Sequence, residues 1–120
     1  MKDNLSMKRE PLAYLEDIME AANSILEFTH DLNNESYKGN KLIRSAVERQ
    51  FEIIGEALKE LKNNCSEHFD KISDGQRIIS FRNVIAHGYA FISDNLVWEV
   101  VTTKLPTLLS EVETIVNSLQ

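Results

Sequence analysis

A chain of 120 residues, 42% hydrophobic and 27% charged, has the make-up of one soluble globular domain, so residues 1–120 read as a single unit, too short of glycine and proline for a β-sandwich. No apolar run approaches the roughly 18 residues that cross a bilayer, the polar start Met1–Glu10 lacks a secretory signal, and the single Cys65 can form no internal disulfide nor hold zinc alone, so the expected location is the cytoplasm with no membrane partner. Net charge is −6, yet residues 41–89 sum to +1 (eight basic, seven acidic) and the flanks to −7, so a polyanion could be received only at the middle.

Apolar residues recur at helical spacing from Arg9 to Asn33, through Leu15, Ile18, Met19, Ala22, Ile25, Leu26, Thr29 and Leu32. The polar stretch Asn33–Asn40 is expected to break that helix. A second helix, about Lys41 to Asn63, sets Ile43, Ala46, Val47, Ile54, Ala57, Leu58 and Leu61 on one stripe. Gly55 inside it costs about 1 kcal/mol against Ala, which implies a close approach by another segment. A short helical turn is expected at Glu67–Asp70. Ser73 with Gln76 has the spacing of a capping box, opening a third helix that runs to Ala86 or His87, with Gly88 as its stop. Ser93 or Asp94 caps the last helix, which carries Leu96, Val97, Val100, Val101, Leu105, Leu108, Leu109, Val112, Ile115, Val116 and Leu119. Pro106 should kink or divide it near Thr102–Thr103. The fold class is therefore all-α, an up-and-down bundle of four main helices plus a short extra one.

Chemistry concentrates in Arg82-Asn83-Val84-Ile85-Ala86-His87-Gly88-Tyr89. On a helical wheel Arg82 lies between two apolar arcs, Ile78/Phe81/Ile85 and Ile79/Ala86, so its guanidinium must be paired or must line a cleft. Without further information a core arginine paired with Glu52 or Glu56 is the plainer reading. Asn83 and His87 share a face four residues apart, and Asn83 could orient the imidazole. The helix C-terminus favours a protonated His87, suited to acid–base work near neutral pH. Arg82 and His87 fall about 140° apart on an unbroken helix. Either Gly88 unwinds the last turn or a second subunit supplies the complement, and two apolar arcs on one helix fit the second option. Arg49, Glu52 and Glu56 form a surface ion-pair ladder or, in the alternative, Arg49 and Glu56 face the cleft. His30 and His68 lack metal-ligand spacing and read as solvent-facing; Trp98 reads as core or interface.

Arg82, four residues, His87, one residue and Tyr89, with Asn83 after the arginine, resembles the motif of the HEPN superfamily and especially its HepT-like branch. Ala46–Arg49 leading into Phe51–Ala57 looks like the second helix of that family, and Trp98 with Leu105-Pro106 like its last. The resemblance implies a homodimeric HEPN-like bundle acting as a metal-independent endoribonuclease, the toxin of a toxin–antitoxin pair, with no cofactor. Carried onto this chain, Arg82 and His87 would be catalytic, Asn83 supporting, and Tyr89 the residue that a nucleotidyltransferase antitoxin silences by AMP transfer. The expected reaction is RNA cleavage at a dimer-interface cleft, leaving a 2′,3′-cyclic phosphate. The competing expectation is a catalytically idle HEPN-like binding module that partners a nucleotidyltransferase.

Overall fold

The computed structural model describes residues 10–87 and 93–120, with Ala86 and His87 described by backbone alone. Among the described residues every regular element is helical and none is a strand. The elements are α1 (Pro11–Thr29), α2 (Asn34–Lys38), α3 (Lys41–Asn64), α4 (Ser66–Phe69), α5 (Gly75–His87), α6 (Asp94–Glu99), a π-helical stretch (Val100–Lys104) and α7 (Leu105–Leu119). α3 is the centre of the arrangement, packed against α1 on one side and α5 on the other, while α7 covers α1. No described helix is long and apolar enough to cross a membrane.

The predicted stripes become the core. Leu15, Ile18, Ala22 and Ile25 of α1 meet Val47, Ile54, Leu58 and Leu61 of α3, all fully buried; each large apolar side chain so buried contributes about 1.5–3 kcal/mol. Phe51 continues the α3 stripe between Val47 and Ile54, is fully buried, and meets Phe81 of α5 edge-on at 5.2 Å. Such an edge-to-face pair adds about 0.5–1.5 kcal/mol beyond burial.

Three boundaries differ from expectation, each for a local reason. The stretch Asn33–Asn40 is not simply a break: Asn33 Oδ1 accepts from Ser36 N at 2.8 Å while Ser36 Oγ accepts from Asn33 N at 2.9 Å, a reciprocal cap that nucleates α2. Because Asn33 must be extended to do this (φ −114°, ψ −178°), α1 ends at Thr29 instead of reaching Asn33. Ser73 does not open the third helix. Its hydroxyl and amide both bond the Glu111 carboxylate of α7, and α5 begins at Gly75. The predicted Gly88 stop lies outside the described residues.

The last helix divides where Pro106 requires it. Pro106 has no N–H to give a carbonyl four residues back, and the turn before it widens to π geometry, with Leu105 N donating to Val100 O. The Thr102 and Thr103 hydroxyls donate to the carbonyls of Trp98 and Glu99, at 3.1 and 2.7 Å. Ser93 Oγ accepts from Leu96 N, which settles the cap of α6 on Ser93.

The first turn of α6 is tied to α2 and α3. Asn34 Nδ2 donates to Asn95 Oδ1 at 3.1 Å, Arg44 Nε lies 3.7 Å from Asp94 Oδ2, and Tyr37, fully buried, packs on Trp98 at 5.3 Å. Burial, together with Glu48 and Asp94 nearby, pushes the Tyr37 hydroxyl well above its ordinary range. Partial burial is the main cause that raises the Glu48 carboxyl too, with Asp94 adding to it and Arg44 opposing it. A carboxyl raised above its unfolded value near 4.5 holds the folded state best when protonated, and that stability is lost as pH rises through the folded pKa. Glu48→Gln is therefore expected to raise the melting temperature at neutral pH and to leave it unchanged below about pH 4, where both chains are neutral at this position. Thermal melts of both proteins across that range check the sign.

Candidate active site

Arg82 reaches its place because α3 carries no side chain at Gly55. A Cβ built on Gly55 would sit 2.2 Å from Arg82 Cβ and 2.3 Å from Arg82 Cγ, so the glycine is the seat on which the aliphatic stem of the arginine rests. The close approach inferred from Gly55 is this one. Resting there, Arg82 joins the lining of a cleft between α1 and α3.

Two neighbours hold it. Arg82 Nη2 donates to Glu56 Oε1 at 2.9 Å, and Nη1 donates to Asn83 Oδ1 at 3.1 Å. The Arg82 side chain is 24% exposed and Glu56 50%, so the pair is wet on one side and contributes less to stability than a sealed one would. Arg82 Nε is buried and finds no acceptor among the described residues, a state that costs about 1–3 kcal/mol. The arginine is thus both paired and cleft-lining. Asn83, expected to orient His87, gives its amide oxygen to Arg82 in this structure.

The cleft encloses ≈ 250 Å³. Tyr14 and Asp17 of α1 form one wall; α3 supplies Arg49, Glu52, Ile53, Glu56, Ala57 and Glu60. Arg49 and Glu56 therefore do face the same cleft as Arg82. Arg49 Nη1 lies 3.4 Å from Glu52 Oε1, so one rung of the ladder expected on this side of α3 forms within the cleft lining, while Glu56 pairs with Arg82 of α5. Four carboxylates face two guanidiniums here. The net +1 of residues 41–89 is thus not expressed locally, because Asp17 of α1 folds in and the lysines of the segment lie elsewhere.

α5 is helical through His87. No unwinding precedes it, and the backbone positions of Arg82 and His87 stay about 140° apart around the axis. The His87 side chain and all of Tyr89 lie outside the described residues. On another flank of α5 a second groove of ≈ 290 Å³ is lined chiefly by Ile78, Phe81, Val84, Leu96 and Val100; Val84 and Leu96 are 36% and 45% exposed.

His30 is exposed as expected. His68 is not solvent-facing; it is half-buried and its Nδ1 is shielded without a partner among the described residues. Nor do three His, Cys, Asp or Glu side chains gather to hold a metal ion among the described residues.

A family model described as "Ribonuclease HepT-like" matches residues 18–115, a span that includes the whole Arg82–Tyr89 motif and every residue of the cleft except Tyr14 and Asp17. The chain belongs to the HepT-like ribonuclease family. A relative named "Putative RNase MJ1380", from Methanocaldococcus jannaschii, is 39% identical over 88% of this chain and 96% of that protein. "Probable ribonuclease HepT" of Thermococcus cleftensis is 34% identical over 89% of this chain and 96% of its own length. No solved structure gives a significant match.

Proposed function

We propose that this HepT-like protein is a metal-independent endoribonuclease, the toxin of a toxin–antitoxin pair, and that it acts as a homodimer. The observation that carries the reading is Arg82, seated on Gly55 and aimed into a cleft by Glu56 and Asn83 in a chain of this family. A guanidinium held by neighbours on two of its nitrogens is pre-oriented, and a planar fork matches the oxygens of a phosphodiester.

In the proposed reaction His87 takes the proton of a ribose 2′-hydroxyl as that oxygen attacks phosphorus. The bond from phosphorus to the 5′-oxygen breaks, and the leaving oxygen takes a proton from the second His87 of the dimer. Arg82 offsets the charge that builds on the non-bridging oxygens. The products are a 2′,3′-cyclic phosphate and a 5′-hydroxyl end. Glu56 and Asn83 act as positioning residues, and Arg49 helps hold the strand at the cleft.

Two features support the dimer. Arg82 and His87 occupy different sides of a continuous α5, so one protomer alone does not converge them. The exposed apolar groove between α5 and α6 lined by Val84 and Leu96 offers surface for a second copy; it adjoins the Ile78/Phe81 arc, while Ile79 of the other arc is buried in the protomer. Control is proposed through Tyr89: AMP transferred to its hydroxyl by a partner nucleotidyltransferase would add bulk and negative charge two residues from His87.

The test uses the purified chain on single-stranded RNA in excess EDTA. Cleavage with cyclic-phosphate ends that proceeds in EDTA, is not increased by added divalent metal and is lost in Arg82→Ala is the expected result, with AMP found on Tyr89 after incubation with the nucleotidyltransferase and ATP. The carboxylate-rich cleft favours one second reading, an idle module that binds its partner without cutting; RNA left whole by a folded, dimeric wild-type chain would establish it.

A further inference from the structure

Charge is divided along the length of α3. Residues 38–50 hold four basic side chains, Lys38, Lys41, Arg44 and Arg49, against Glu48 alone. Residues 51–64 hold Glu52, Glu56 and Glu60 against Lys59 and Lys62. In the first half Arg44 is engaged with Asp94 of α6 and with the Lys38 carbonyl, and Glu48 lies near that pair. The Lys41 side chain is exposed and has no hydrogen bond or ion pair among the described residues.

Lys41, Ser45 and Arg49 follow one another at four-residue steps, and all three are exposed. On an α-helix each such step advances about 6 Å and turns about 40°, so they form a shallow spiral on the open side of α3. The spiral enters the cleft at Arg49, which shares the lining with Arg82. Glu56, the partner of Arg82, stands about 10 Å beyond Arg49 and about 22 Å beyond Lys41 along the helix. The carboxylates nearest this path already face guanidiniums, Glu52 that of Arg49 at 3.4 Å and Glu56 that of Arg82 at 2.9 Å. Past Glu56 the lining continues with Glu60. A phosphate chain seated at Arg82 is thus repelled toward the end of α3 and drawn toward its start.

We infer that Lys41, Ser45 and Arg49 form the backbone track of a single RNA strand that runs from Arg82 toward the start of α3, a step that rests on the ribonuclease reading above. Arg49 and Lys41 give charge to phosphates on either side of Ser45, whose hydroxyl donates a hydrogen bond between them. Such contacts fix the position of a strand without reading its bases. A dinucleotide seated at Arg82 is too short to reach Lys41.

The test compares Lys41→Ala with Lys59→Ala, which removes an exposed lysine of the same helix that lies off the spiral and outside the cleft lining. On an RNA of about twelve nucleotides Lys41→Ala is expected to raise KM about threefold or more with kcat unchanged. Lys59→Ala keeps both values, and Lys41→Arg keeps the KM of the parent. Loss of one phosphate contact should also lower the slope of log affinity against log salt by about 0.7. Cleavage of a dinucleotide is expected to be equal in all of these chains. Equal losses in the two lysine-to-alanine variants, no loss in either, or a loss on the dinucleotide as large as on the long strand overturns the track. A second arm uses a fully 2′-O-methylated strand of the same length, which has no 2′-hydroxyl to attack, and follows its binding by fluorescence anisotropy. Weaker binding in Lys41→Ala alone supports the track; equal binding by all chains, or none by the wild type, refutes it. If no RNA is cut, the ribonuclease reading falls while this titration still decides the track.

Discussion

Gly55→Ala is expected to remove most RNA cleavage and to weaken the fold at once. In an ordinary helix interior the change would be favourable by about 1 kcal/mol. Here the new methyl would lie 2.2 Å from the β-carbon of Arg82 and 2.3 Å from its γ-carbon. Those atoms are the root of the side chain, not its flexible end, so relief requires α5 itself to move off α3. Overpacking of this kind costs about 1–3 kcal/mol, which outweighs the gain in helix propensity. The displacement also carries the guanidinium away from Glu56, and a misplacement of about 1 Å costs about 10²-fold in rate. Urea unfolding and initial rates on one RNA substrate measure the two effects. A variant as stable and as fast as the parent would show that the α3–α5 contact has slack and that Arg82 is not set by it.

Mixing two dead variants is expected to restore part of the activity. Arg82→Ala and His87→Ala should each lose about 10³-fold or more, since each removes a group acting only at the transition state. If the reacting phosphate meets an arginine from one protomer and a histidine from the other, a dimer holding one of each variant regains one such pair but keeps a single His87, so water has to protonate the leaving oxygen and recovery is partial. The continuous helix through His87 is the reason to expect this, because the two positions diverge within a chain. Subunits exchanged under mild denaturant and then assayed read the outcome directly, with each variant alone as the baseline. Recovery absent from verified mixed dimers would mean that the arginine and histidine work in the same chain or that the reaction stops without the second His87.

Much of the helical layout was legible in the amino-acid sequence because burial imposes a period. The stripe from Leu15 to Ile25 and that from Val47 to Leu61 repeat at three and four, and the break at Pro106 follows from its missing donor. What escaped was set by partners distant in the chain or by less familiar caps. Ser73 has the spacing of a helix cap, but Glu111, 38 positions onward, takes its hydroxyl. Asn33 and Ser36 cap α2 without the usual glutamate or glutamine at the third helical position. At the candidate site, the need to pair Arg82 could be read from its apolar flanks, and Glu56 was one of two candidates for the task. The acidity of the cleft could not be read, because Asp17 joins it from another helix only after folding. The roles given to His87 and Tyr89 rest on the family motif and not on described side-chain geometry.

The wide turn at Val100–Lys104 sets the rotational phase between the two ends of the last helical segment. Val97, Val101 and Leu105 are all buried, although steps of four residues each drift by about 40° on a regular α-helix. A turn with an extra residue takes that drift back, so the Trp98 end can clasp Tyr37 while the Leu108 end stays on α1. Loss of a single residue in this stretch would twist one end against the other, and either the tether on α6 or the contact with α1 would have to let go.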